Sequence, residues 1–148
     1  MKTEFDEYLI SIGIGEGLKT KIDAIYQHYQ KIFAHILNEE INDIFVGEFI
    51  QQDNTRVYEE VVFFSDNFMT TSTLFSKKDN FDIGRLKIIE RVEIEYQDYD
   101  LQKATEKSRL LFRFHVDGLH GGENKASKEN CDKLYSLYSK YIIPRLKN

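Results

Sequence analysis

The chain has 148 residues, 41% hydrophobic and 30% charged, with one proline, one cysteine and no tryptophan. That length suits one domain, 1–148, whose core buries about two-thirds of the unfolded chain's surface. Lys and Arg total 20 against 25 Asp and Glu, a formal charge of −5, which disfavours binding to nucleic acid or anionic membranes through the overall field. Cys131 stands alone, so an intramolecular disulfide is excluded and a reducing cytoplasm is the expected location. The acidic N-terminus leads into only a short apolar stretch at 8–12, too short for a signal core or a membrane span of about 20 residues.

Tyr8-Leu9-Ile10-Ser11-Ile12 reads as a short extended stretch that ends in Gly13-Ile14-Gly15-Glu16-Gly17. Leu18, Ile22, Ile25, Tyr29, Ile32 and Ile36 then recur at helical spacing, flanked by Phe33 and Leu37, while Lys19, Lys21, Asp23, Gln27 and Lys31 stay wet. An amphipathic helix over 18–40 is predicted. From 43 to 118 the pattern changes to period two, with runs rich in Val, Ile, Phe and Tyr at 44–51, 56–65, 68–75, 81–83, 91–96 and 110–116. Asp53-Asn54 and Asp66-Asn67 supply turns, and 85–89 reads as a turn or one helical loop. A loop with Gly118, Gly121 and Gly122 leads to Ser127, a predicted N-cap, and a helix over 127–147 whose inner face carries Cys131, Leu134, Leu137 or Tyr138, Tyr141 and Ile142. Pro144 stops it.

Consecutive antiparallel strands must bury one face and protect two edges, and a curled barrel capped by a helix does both. The predicted class is therefore α+β: six or seven antiparallel strands, a C-terminal helix plugging one end and an extra N-terminal amphipathic helix. The stretch Val61-Val62-Phe63-Phe64-Ser65-Asp66-Asn67-Phe68-Met69-Thr70-Thr71, followed by Phe81-Asp82-Ile83-Gly84-Arg85-Leu86-Lys87-Ile88-Ile89-Glu90-Arg91-Val92-Glu93-Ile94, resembles the bacterial pleckstrin-homology-like family over 43–146. The resemblance implies a module that binds proteins, lipid head groups or peptides and carries no catalysis. Lipid-binding members cluster Lys and Arg on their first two strands. Here Gln51, Gln52, Asp53, Asn54 and Thr55 are followed by Arg56 alone and then by Glu59 and Glu60, so phosphoinositide recognition is disfavoured.

His115-Val116-Asp117-Gly118-Leu119-His120-Gly121-Gly122-Glu123 gathers two imidazoles and two carboxylates, side chains that suit a divalent metal, but the spacing fits no zinc motif. An exposed strand end is the better account, and no metal site is expected. The glycines before the first helix resemble a phosphate loop, yet Leu18 sits where a dinucleotide fingerprint wants glycine and Glu16 would repel an anion. Lys77 and Lys78, with Arg85 and Lys87, are the candidate anion-binding patch, and lipid binding through them should weaken steeply with salt. No Ser sits in a nucleophile elbow, Cys131 falls on a buried helix face, and His28 and His35 lack carboxylate partners at metal spacing. No catalytic residue and no cofactor are assigned.

The leading functional reading is a non-enzymatic cytoplasmic binding or scaffold module. It would recognise a protein partner, or itself, through Leu18, Ile22, Ile25 and Tyr29 of the first helix, or through a Tyr-bearing surface with Tyr135 and Tyr138, Tyr being common at interfaces. The first-helix stripe either packs across the barrel or pairs with its own copy. The alternative is a small-ligand-binding barrel or minor enzyme with a pocket between the N-terminal helix and the sheet. Its polar candidates, Glu95, Arg113 and His115, face outward on strict alternation.

Overall fold

The structure, a computed structural model, describes residues 2–75, 82–86, 88–100, 103–116 and 119–147. Its first element corrects the sequence reading. Lys2–Ser11 is a helix, α1, with Phe5 and Leu9 buried one turn apart and Ile12 buried beyond them. A window that starts at Tyr8 sees only alternation, whereas the spacing 5, 9, 12 is helical. Gly13, at φ +83°, makes the turn that L side chains resist, and the Tyr58 hydroxyl donates to the Ile12 carbonyl beside it.

Helix α2 (Glu16–Ile32) buries Ile22, Tyr26 and Tyr29, and Phe33 follows on the same face. The charges on α1 and α2 interlock. Lys19 reaches Asp23 at 2.9 Å and Asp6 at 3.3 Å, while Lys2 bonds both acids. The predicted continuation to residue 40 does not hold, because a π-helical turn occupies Phe33–Leu37 and ends at Asn38 in the left-handed region. Its extra residue rotates the apolar stripe off the core, so Phe33 is fully buried while Ile36 is 74% exposed.

Strands β1 (Asp43–Ile50), β2 (Arg56–Phe64), β3 (Phe68–Thr73) and β4 (Asp82–Arg85) form an antiparallel sheet in that order. Strands β5 (Arg91–Gln97), β6 (Arg109–Val116) and β7 (Leu119–Ser127) form a second. β7 overturns the predicted glycine loop, and its glycines have a packing reason. A Cβ on Gly121 would lie 2.4 Å from the Phe114 carbonyl oxygen, and one on Gly122 would lie 2.6 Å from the Phe114 ring. Only glycine lets the strand cross that ring.

The chain closes with helix α3 (Asn130–Leu137), a π-helical turn Tyr138–Ile142 and a 3-10 turn Ile143–Arg145. The helix starts later than the predicted Ser127, which is instead the last residue of β7, with its hydroxyl donated to Glu48.

The first sheet is covered on both faces, which is why Val61, Val62, Phe63 and Phe64 are all buried without alternation. Ile44, Val46, Val61 and Phe63 pack against α1 and α2. Phe45, Val62 and Phe64 face the second sheet and α3, where Phe112, Phe114, Leu134, Tyr138 and Ile142 complete the other core.

A closed barrel is not formed among the described residues. β1 and β7 run beside each other, yet the backbone of β1 turns elsewhere at Val46. Its N–H donates to the Tyr8 hydroxyl at 2.9 Å, and its carbonyl accepts from the Asn130 amide at 2.8 Å. Side chains from α1 and α3 thus satisfy an edge that a barrel would pair.

Candidate functional site

Two places in the fold concentrate polar chemistry. One is the β2 to β3 turn. The Glu39 carboxylate accepts from the Ser65 hydroxyl, from the Asn67 N–H at 3.1 Å and from the Asn67 amide at 3.0 Å. Burial pushes the Glu39 carboxyl up, but these donors and the nearby Arg85 hold it below its ordinary range. The Asn67 carbonyl accepts from the Leu86 N–H at 2.7 Å, and the Asp66 carbonyl from Arg145 at 2.6 Å.

Around this pinned turn the surface is basic and aliphatic. Arg85 is exposed, with its guanidinium 4.8 Å from the centre of the Phe68 ring. Residue 89 bridges the C-terminal segment, its N–H donating to the Arg145 carbonyl and its own carbonyl accepting from the Lys147 N–H, both at 2.8 Å. That bridge joins the segment that carries Arg85 and Ile88, 65% exposed, to the C-terminal segment that carries Ile143 and Leu146, about 40% exposed each, with Arg145 and Lys147.

The second place is the seam between β1 and β7. Glu48 has no exposed side chain, and Arg56 holds it with a fork, Nε to Oε1 and Nη2 to Oε2, both at 2.9 Å. Ser127 and Asn130 donate to the same carboxylate, and Arg56 reaches Glu129 at 2.8 Å. Burial nevertheless keeps the Glu48 carboxyl above its ordinary value.

Glu60 passes over Gly47, where a Cβ would come within 2.8 Å of its Cγ, and accepts from Asn124 at 3.1 Å. Asn124 in turn accepts from the buried Tyr138 hydroxyl at 2.7 Å. Burial raises the Glu60 carboxyl as well. This linkage of β2, β7 and the C-terminal helical segment holds the two sheets together where backbone pairing stops.

The residues singled out from the sequence fall in several places. Ile22 and Tyr29 are buried against the first sheet, and Leu18 and Ile25 are half-buried at the margin of that core. Tyr138 is fully buried, while Tyr135 packs half-buried with its ring 6.4 Å from Phe112. Tyr99 is buried and donates to Asp132 at 2.7 Å. Of the basic set, Arg85 lies on β4, and Lys77, Lys78 and Lys87 lie outside the described residues.

His115 bonds Glu93 at 3.2 Å and Arg113 reaches Glu95 at 3.3 Å on the outer face of the second sheet. Among the described residues no group of three or more His, Cys, Asp and Glu is placed to hold a metal, and Asp117 and Gly118 lie outside them. Sequence reasoning missed Glu39, Ile88, Arg145 and Lys147. The signal available was the alternation of bases and aliphatics in Ile142-Ile143-Pro144-Arg145-Leu146-Lys147.

Two antiparallel sheets with helices on one face and a helix in the second core make this an α+β protein. Among the described residues no helix is long and apolar enough to cross a membrane. No family model matches the chain, and no curated protein does. The chain is similar to the solved structure of the hSac2 domain from human phosphoinositide phosphatase Sac2, at 12% identity and a TM-score of 0.44, covering 80% of this chain and 79% of that one.

The resemblance to the bacterial pleckstrin-homology-like family is therefore withdrawn: no family model supports it, and the structure found is described in other terms. Phosphoinositides lose the objection raised against them with it, since that objection is a departure from this family's basic pattern. The module that recognises a protein partner goes too, as does its alternative of a ligand barrel or minor enzyme beneath the first helix. Ile22 and Tyr29 fill the chain's own core, and Leu18 and Ile25 are half-buried at its margin, so these four residues do not form an exposed stripe.

Proposed function

We propose that the chain docks peripherally on an anionic lipid surface through the face around the β2 to β3 turn. The observation that carries this reading is the Ile89 bridge, which joins the segment of Arg85 and the exposed Ile88 to the C-terminal segment of Ile143, Arg145, Leu146 and Lys147. Each base near an anionic bilayer contributes about 1 kcal/mol within a Debye length, while the aliphatic side chains add apolar burial at about 25 cal/mol per Å². Both terms are needed, because the net charge of −5 opposes approach by any other face. A cytoplasmic location, suggested by the lone Cys131, fits contact with the acidic inner leaflet.

The test is co-sedimentation with vesicles of phosphatidylcholine, with and without phosphatidylserine. Binding should require the acidic lipid and fall when salt rises from about 0.1 M to about 1 M, which shortens the Debye length from about 10 Å to about 3 Å. R85E with K147E should abolish it, and Ile88→Ser should weaken it while the fold is kept. Equal binding to both vesicle types, or binding indifferent to R85E and K147E, would sink the proposal.

A further inference from the structure

Strand β5 is the outer strand of the second sheet, and among the described residues it pairs only with β6. Which of its backbone groups face outward follows from the register. The Lys128 N–H donates to the Ser108 carbonyl at 2.9 Å, one step beyond the Arg109–Ser127 pair. The even-numbered residues of β6 therefore turn their backbones to β7, and Arg109, Leu111 and Arg113 turn theirs to β5. Their partners there are Gln97, Glu95 and Glu93, which leaves the N–H and C=O groups of Val92, Ile94 and Tyr96 directed at the open edge. Upstream the lane beside this edge is already filled: the Ile89 N–H donates to the Arg145 carbonyl and the Ile89 carbonyl accepts from the Lys147 N–H. A neighbouring strand can run only from Arg91 onward.

The side chains along the edge stand in solvent. Ile94 and Tyr96, opposite Phe112 and Leu110, are 40% and 61% exposed. On the other face Arg91 and Glu95 are the most exposed charges of the strand, and Glu95 has Arg113 at 3.3 Å. Glu93 between them is the acid best held within its own sheet, by Arg91 at 2.8 Å, His115 at 3.2 Å and Arg113 at 3.7 Å.

We propose that a second copy of this chain adds its own β5 to this edge, antiparallel and centred on Glu93, joining two three-stranded sheets into one. Outward backbones must meet outward backbones, so the two-fold axis can pass only through Val92, Glu93, Ile94 or Glu95. Charge complementarity chooses among these. Centring on Glu93 sets Arg91 opposite the partner's Glu95 and Val92 opposite the partner's Ile94, each twice, over 91–95 of both strands. Glu93 then meets its own copy, but it is the acid that three nitrogen-bearing side chains already hold. Centring on Ile94 sets Glu93 opposite the partner's Glu95 twice, and centring on Glu95 sets that exposed acid against its own copy. Centring on Val92 drives the partner's Glu95 into the lane that Arg145 and Lys147 fill beside Ile89. The surface does not depend on the lipid reading.

The experiment is analytical ultracentrifugation of the intact chain from about 10 µM to about 1 mM, the range in which a small interface forms. The parent should dimerise. R91E and E95R, each checked for native circular dichroism, bring like charges together twice and should each weaken the dimer about tenfold. R91E combined with E95R in one chain, and an equimolar mixture of the two single variants, should both regain it, because unlike charges face each other again. Ile94→Pro removes an N–H that β6 does not use and, on an edge strand, should keep the fold while abolishing the dimer. A parent that stays monomeric throughout, a mixture as weak as its components, E95R that strengthens the dimer, or folded Ile94→Pro that still dimerises would each overturn the assignment.

Discussion

Replacing Arg56 with Met removes both hydrogen bonds of the fork from a carboxylate with no exposure of its own. Removing one partner of a buried pair costs about 3–5 kcal/mol because the remaining charge stays desolvated. Glu48 keeps two donors, Ser127 and Asn130, and Arg56 is itself 15% exposed, so the lower end of the range, about 3 kcal/mol, applies. For a chain of this length that is a fall in Tm of roughly 6–12 °C.

The loss must also depend on pH. Burial holds the folded Glu48 carboxyl above its unfolded value, so its contribution is fully present below the unfolded value and is lost as pH rises through the folded one. Without Arg56 that upward shift grows. The gap between R56M and the parent should therefore widen from about pH 4, near the ordinary carboxyl range, towards neutrality. Urea unfolding of both proteins at the two pH values measures it. A gap below about 1 kcal/mol, or one equal at acid and neutral pH, would refute the desolvated-carboxylate account. E48Q added to R56M should recover part of the loss, because the amide oxygen can accept from Asn130 while its NH2 donates to the Ser127 hydroxyl oxygen, without a charge.

Three further outcomes follow from the packing. E60Q keeps an acceptor for Asn124 and removes a carboxyl whose folded value is raised; it should be more stable than the parent at neutral pH and no different in acid, as read by urea midpoints, and destabilisation at neutral pH would contradict the buried-acid account. G121A and G122A should each cost about 2 kcal/mol by overpacking, but only G122A should be relieved by F114L, since Gly121 also meets the Phe114 backbone oxygen. Ile22→Ala, at a side chain 1% exposed, should cost about 2–5 kcal/mol in thermal or urea unfolding, against well under 1 kcal/mol for Ile36→Ala on the face that the π turn turns outward.

The strands were legible because Val, Ile and Phe runs separated by Asp-Asn turns leave few alternatives, and β2, β5 and β6 begin and end within a residue of their predicted bounds. What was not legible depends on contacts far away in sequence. β7 reads as a glycine loop until Phe114 is known to lie beneath it. The π turn after Ile32 leaves the hydrophobic spacing intact in the sequence while moving Ile36 into solvent. Neither polar centre has a local signature. Glu48 and Arg56 are eight residues apart, but the partners that complete their site, Ser127 and Asn130, lie about eighty residues further on. The basic face around the turn likewise joins residues 85–91 to 143–147 through a bridge that periodicity cannot foretell.

Val46 carries a consequence for how the protein opens. Its amide proton is held by the phenol of Tyr8 and its carbonyl by the amide of Asn130, so one residue of an edge strand records the seating of both ends of the chain. Hydrogen exchange at that amide reports departure of the N-terminal helix rather than unzipping of the sheet. Its neighbours within β1, paired to β2, wait for larger openings. A fast-exchanging Val46 inside a slow strand would be the signature of an N-terminal helix that lifts and reseats while the sheets stay closed.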